Sequence, residues 1–197
     1  MGSGLKAWRD YQKTLEGNQA VVKVRKDYSP YWDACLLGTK RQYSEFIRDE
    51  CIHGLENGQP KVLLWGDSHA AHMMPALMEA YPDVAVYHMT MAGCPPVLGY
   101  ESKVPMASKD CPDFNQRVLH EISELRKNGL QGIVISARWP IYLRQRTLAV
   151  SQIQATAFSD LQKLAEARAE MQSRFDETLS LLESAGVRVL VLRSEER

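Results

Sequence analysis

Ser68 is the side chain in this sequence best placed for covalent chemistry. It follows the apolar run Val62-Leu63-Leu64-Trp65 across Gly66-Asp67, and a short apolar run bounded by Gly and Asp reads as a buried strand that stops there. Beyond it Ala71, Met74, Leu77, Met78 and Tyr81 recur at helical spacing, so the segment predicts strand, glycine turn, helix, with Pro75 kinking the helix early. A residue between the end of a strand and the start of a helix lies where open α/β sheets bind ligands. The first N–H groups there have no helical partner and carry partial positive charge, which favours a developing alkoxide or oxyanion. Ser68 is therefore a candidate nucleophile. The plainer alternative is that Asp67 or Ser68 caps the helix, as both residue types commonly do, and Gly-Asp-Ser alone is too short to decide.

A serine hydroxyl needs a neighbouring base to attack a carbonyl, which directs attention to the histidines. His69 and His72 stand three apart at the helix start, a spacing that could suit a metal pair, but no third ligand is evident nearby and no metal is expected. His69 is expected to line the crevice or pack beside the strand. His72 would have to bend back one turn to act as a base. His88 and His120 read as structural or exposed, and His53, close to Cys51, as a surface residue.

The elements that must position Ser68 fit one domain, since 197 residues allow a sizeable core without demanding a second. Twenty-four acidic and twenty-four basic residues cancel, leaving no electrostatic footprint for nucleic acid. No apolar run approaches the roughly 20 residues needed to span a bilayer. Met1–Gly4 reads as an expression remnant and residues 5–60 as an N-terminal extension packing on the outside, with short helices at Leu5–Leu15 and Gln42–Arg48. Residues 61–197 form the α/β domain. A second strand is expected over Val84–Met89, then a loop through Gly93-Cys94-Pro95-Pro96 that cannot continue a ladder or a helix. Residues 100–110 read as an irregular excursion. A helix follows from Pro112 to Lys127, with Phe114, Val118, Leu119, Ile122 and Leu125 on its apolar side. Gly132–Ser136 is the third strand, a continuous apolar run suited to a parallel sheet covered on both faces.

Residues 141–157 read as a loop or lid. A long amphipathic helix is expected from Ser159 to Ala185, its stripe made by Leu161, Leu164, Ala165, Met171, Phe175, Leu179 and Leu182 and interrupted by Arg168. Val187–Leu192 closes the set as strand four. Strands alternating with helices argue for a parallel sheet with helices on both faces and right-handed crossovers. The exits of the first three strands can then converge, which makes Ser68, Gly93 and Arg138 candidates for a single site. Trp139, beside Arg138, could stack on a sugar ring or belong to the core.

Cys35, Cys51, Cys94 and Cys111 allow three connectivities and contain no C-x-x-C pair, so disulfides fit better than a metal site. Sequential pairing, Cys35 with Cys51 and Cys94 with Cys111, is the simplest. Each bridge would contribute about 3 kcal/mol in chain-entropy terms and imply an oxidising compartment. Four buried free thiols are the alternative.

The sequence resembles the SGNH (GDSL-like) hydrolase superfamily, and within it the extracytoplasmic domain fused to membrane acyltransferases of type 3. Leu63-Leu64-Trp65-Gly66-Asp67-Ser68-His69-Ala70-Ala71-His72, Ala92-Gly93-Cys94-Pro95-Pro96 and Ile135-Ser136-Ala137-Arg138-Trp139 carry the likeness, in the family's order, over roughly residues 35 to 193. The resemblance implies a flavodoxin-like three-layer α/β/α fold and serine-dependent O-acyl transfer or hydrolysis without a cofactor. Ser68 would be the nucleophile, with its own N–H and that of Gly93 in the oxyanion hole and Asp67, His69, Arg138 and Trp139 around it. Where typical members carry an asparagine after the third strand this sequence has Ser136-Ala137-Arg138-Trp139, which makes Arg138 the substitute donor. The superfamily's catalytic Asp-x-x-His motif is absent from the chain. That absence points to a native continuation carrying the motif and the C-terminal strand or helix, and to a fragment inactive alone.

The function implied is that of a cell-surface glycan O-acetyltransferase domain, facing the periplasm or the exterior and tethered to the inner membrane by an acyltransferase domain of the same polypeptide. Its acceptor would be a glycan, with nucleic acid excluded. A carbohydrate O-acetyl esterase and a non-catalytic glycan-binding domain are the alternatives.

Overall fold

The computed structural model describes residues 32–99, 101, 109–143 and 158–193. The helix expected at Leu5–Leu15, the remnant Met1–Gly4, most of the 100–110 excursion and residues 144–157 lie outside the described residues. The chain enters through the one-turn helix α1 (Trp32–Cys35) and the two-residue strand β1 (Leu36–Leu37), followed by the equally short β2 (Ile52–His53). Strand β3 (Val62–Gly66) leads into α2 (Ser68–Ala71) and α3 (Met74–Ala80), then β4 (Val86–Met91), α4 (Cys111–Lys127) and β5 (Gly132–Ala137). The short α5 (Trp139–Leu143), the long α6 (Phe158–Ser184) and β6 (Arg188–Arg193) complete the order.

The sheet runs β1-β4-β3-β5-β6, parallel along that path, with β2 antiparallel to β4. Alternation along each strand sends its side chains to two faces. Leu63, Trp65, Tyr87, Met89, Ile133 and Ile135 pack against Phe114, Val118, Ile122 and Leu125 of α4 and Leu182 of α6. Leu64, Val86 and Val134 pack on the other face against Ala70, Met74 and Leu77 from α2 and α3. Helices on both faces make this the expected three-layer α/β/α arrangement. The helix after Ser68 is two pieces instead of one kinked rod: Pro75 occupies the first turn of α3, where its missing N–H costs nothing.

Two differences from the sequence expectation concern the sheet edge. The second strand lies two residues later than Val84–Met89, because Thr90 and Met91 find ladder partners in Leu36 and Leu37 of β1. Residues 32–60 are thus partly inside the sheet, with Cys35, Leu36, Leu37 and Cys51 fully buried. The segment is also fastened from outside: the Arg48 Nε donates to Glu121 of α4 at 3.1 Å, and the Arg117 guanidinium lies 4.9 Å from the centre of the Phe46 ring. Gln42–Arg48 contains a single 3-10 turn, Tyr43–Glu45, closed by the Glu45 carboxylate accepting from the Gln42 N–H. Both disulfides form in the sequential pairing, Cys35 with Cys51 and Cys94 with Cys111.

His53 is not a surface residue. It is 3% exposed, on β2 against β4, with its ring 5.7 Å from that of the fully buried His88. The Cys35–Cys51 bridge draws this stretch inward. Thr90 donates its hydroxyl to the Cys35 carbonyl at 3.4 Å, so it accepts from His88 Nε2–H at 2.8 Å and leaves Nδ1 as a buried acceptor. Burial lowers the His53 pKa to about 4, and burial together with the neighbouring His53 lowers that of His88 to about 3. Ligand atoms of Cys35, His53 and His88 lie within 4.8 Å of one another, but the Cys35 sulfur is bonded to Cys51 and offers no thiolate.

Both histidine pKa values lie below the unfolded value, so the unfolded chain takes up protons first and stability falls with falling pH. The loss begins near pH 6.5 and continues toward pH 4. Each histidine adds up to about 1.4 kcal/mol per pH unit to the slope. Urea midpoints between pH 7 and 5 should fall steeply for the wild type and less steeply for His53→Gln; a midpoint unchanged down to pH 5 would contradict the neutral buried pair.

Candidate active site

The strand register brings the site together. Gly66 pairs with Thr90 on one side and Ser136 on the other, so Ser68, Gly93 and Arg138 all lie two or three residues past the same level of the sheet. The exits of β3, β4 and β5 are neighbours at one end.

Asp67 fixes this end. It is buried, and it caps α2 by accepting the His69 N–H on Oδ1 at 2.8 Å. Its Oδ2 accepts the Arg138 N–H at 2.9 Å and the Tyr142 hydroxyl at 2.6 Å. One carboxylate thereby joins the exit of β3 to the exit of β5 and to α5. Hydrogen bonds to a charged acceptor are about twice as strong as neutral ones, and three of them fix the Asp67 carboxylate. Tyr142 was hidden in a stretch with mixed signals, and its partner is 75 residues away in sequence.

The neighbouring Ser68 is half-buried, and its hydroxyl makes no hydrogen bond among the described residues. Its carbonyl accepts from the His72 N–H, and Ala71 N–H bonds to the Asp67 carbonyl, so the Ser68 N–H precedes the first intrahelical donors. Because α2 is a single turn, the favourable field at Ser68 comes from this amide and its neighbours more than from a helix dipole.

Gly93 lies on the loop at β4's exit. It sits at φ 67°, a left-handed conformation that favours glycine. The N–H groups of Ala92 and Cys94 on either side bond to the carbonyls of Leu37 and Met91, and the Gly93 N–H is engaged by neither bond. The loop is pinned by the Cys94–Cys111 bridge and by Asn115, whose Nδ2 donates to the carbonyls of Pro95 and Val97 at 3.0 and 3.1 Å. Asn115 Oδ1 accepts the indole N–H of Trp65 at 2.9 Å, tying the loop to the strand that carries Ser68. In the sequence this hub shows only as an asparagine in helical register with Cys111, Val118 and Ile122; in the fold it is fully buried. Thr178 of α6 has a similar role, accepting the Leu98 N–H at 3.0 Å.

The remaining candidates divide. Arg138 is exposed at the exit of β5, with its N–H held by Asp67. Trp139 is half-buried, donating its indole N–H to the Leu192 carbonyl at 3.0 Å and packing on Phe175 at 5.0 Å between ring centres. It fastens β6 to α5 and α6. His69 is half-buried beside Ser68, its ring 6.2 Å from that of the exposed His72. His72 turns Nδ1 to the Ser68 carbonyl at 2.7 Å; a carbonyl only accepts, so Nδ1 carries the proton.

A family model, the SGNH domain fused to AT3 domains, matches residues 34–194. The chain belongs to the SGNH domain family. No curated protein and no solved structure matches it. The SGNH assignment agrees with the three-layer sheet and gives the chain the standing of a hydrolase-like domain associated with acyltransferases. Among the described residues no helix is long and apolar enough to cross a membrane. The two disulfides suit an SGNH domain in an extracytoplasmic, oxidising setting.

Proposed function

We propose that this SGNH domain transfers acetyl groups to a sugar hydroxyl of a cell-surface glycan through an acetyl-Ser68 ester. The AT3 membrane domain of the same polypeptide supplies the acetyl group. The observation that carries the reading is the contrast at the β3 exit: Asp67 is held by three hydrogen bonds, while the adjacent Ser68 is half-buried and its hydroxyl makes no hydrogen bond among the described residues.

In the first step Ser68 Oγ attacks the acetyl carbonyl of the donor as a base removes its proton. The carbonyl oxygen becomes an oxyanion facing the Ser68 and Gly93 N–H groups, the kind of fixed donors whose loss typically costs about 10²- to 10³-fold in rate. Collapse expels the donor's leaving group, which takes the proton. In the second step a sugar hydroxyl attacks acetyl-Ser68, its proton passes to the base, and Ser68 Oγ leaves and is reprotonated. The Arg138 guanidinium is the candidate third donor to the oxyanion. The family's Asp-x-x-His base is absent from residues 1–197.

A fluorophosphonate serine probe tests the covalent step. Incubated with the native-length protein, it should leave one adduct, mapped by peptide mass spectrometry to Ser68. A folded native-length protein that takes no adduct there would favour non-covalent glycan binding instead.

A further inference from the structure

We infer that Trp32 and His72 form the acceptor wall of the site, holding a pyranose ring of the glycan beside Ser68; this rests on the reading of Ser68 as the acyl carrier. His72 follows Ser68 by one helical turn, and its Nδ1–H is tied to the Ser68 carbonyl itself at 2.7 Å. The imidazole therefore lies against the backbone of the nucleophile's residue, on an exposed histidine, and keeps Nε2 as an acceptor for a hydroxyl. The Trp32 indole and that ring pack in a T-shaped pair, 4.5 Å between centres, so the imidazole is positioned from two sides.

Trp32 comes from a different part of the chain, and its placement is built in. It opens α1, whose last residue, Cys35, is bridged to Cys51 and accepts the Thr90 hydroxyl on its carbonyl. The N-terminal segment thus crosses the edge of β4 and delivers an indole to the nucleophile's helix. A half-buried indole beside an exposed imidazole nitrogen offers what a pyranose requires, a flat apolar surface next to a hydrogen-bond acceptor. Water needs neither, so this wall would decide whether acetyl-Ser68 is resolved by sugar or by hydrolysis.

The test is the ratio of glycan acetylation to acetyl-ester hydrolysis in the native-length protein, with Trp32→Phe compared with Trp32→Leu. The ratio is independent of how much enzyme is active, so general destabilisation does not move it. Phe keeps a flat ring and should hold the ratio within about twofold, whereas Leu keeps apolar volume without the ring and should lower it about fivefold or more. His72→Ala should lower it likewise. A ratio unchanged in Trp32→Leu, or lowered equally by Phe and Leu, would overturn the inference. Failure of the probe to label Ser68 would instead remove the reading on which it rests.

Discussion

Ser68→Ala in the native-length protein is expected to lower acyl transfer by roughly 10⁴-fold or more, the scale seen when a serine nucleophile is removed and only binding and oxyanion contacts remain. The melting temperature should stay within about 2 °C, because surface changes away from special contacts are worth about 0.5 kcal/mol or less. The two expectations have separate physical causes. Ser68 is half-buried and its hydroxyl makes no hydrogen bond among the described residues, so its loss breaks none there. The anchoring of α2 belongs to Asp67, whose carboxylate caps the helix and joins β3 to β5. Steady-state acetyl transfer and thermal unfolding on the same preparation check both. Retained turnover would remove Ser68 from the mechanism, and a melting temperature lowered by more than about 5 °C would make it a structural residue.

That arrangement assigns the capping role within the Gly-Asp-Ser triplet to Asp67. Capping and catalysis looked like competing explanations of the same residues. In the folded chain Asp67 does the capping, which leaves the next hydroxyl without a structural task. A motif that provides its own cap can present a serine at a strand exit without drawing that serine into the turn.

What could be read in advance follows from how local each signal is. Val62–Gly66 and Gly132–Ala137 are buried on both faces and advertise it as continuous apolar runs. The apolar stripe of α4 repeats over seventeen residues, long enough for its period to stand out. Leu36–Leu37 and Ile52–His53 have no period to read; they are strands because β4 offers both a parallel and an antiparallel partner at its edge. The Tyr142 hydroxyl on Asp67 is likewise a tertiary fact. Asn115 is intermediate, since a polar residue on the α4 stripe was visible but its partners, Trp65 and the Pro95–Val97 loop, were not.

Gly66→Ala is expected to be strongly destabilising. The sequence suggests that Gly66 makes a turn, but in the structure it is the last residue of β3, still paired with Thr90 and Ser136. Its glycine is required by proximity: a Cβ there would lie 1.8 Å from the Ser136 carbonyl oxygen and 2.7 Å from Ala70 Cβ, with φ at 157°. The first obstacle is backbone in the centre of the sheet, so no rotamer change relieves it. β3 and β5 would have to part at the level where Asp67 reaches Arg138. Overpacking and backbone strain together should cost on the order of 4 kcal/mol, a drop of about 10 °C in a domain of this size, with Ser68 displaced as well. Gly132→Ala is the comparison, because the same sheet there leaves 3.4 Å to the nearest atom, the Arg188 carbonyl oxygen. That variant should melt within about 4 °C of the wild type, and equal melting temperatures for the two variants would show that β3 and β5 are not packed as closely at Gly66 as the register requires.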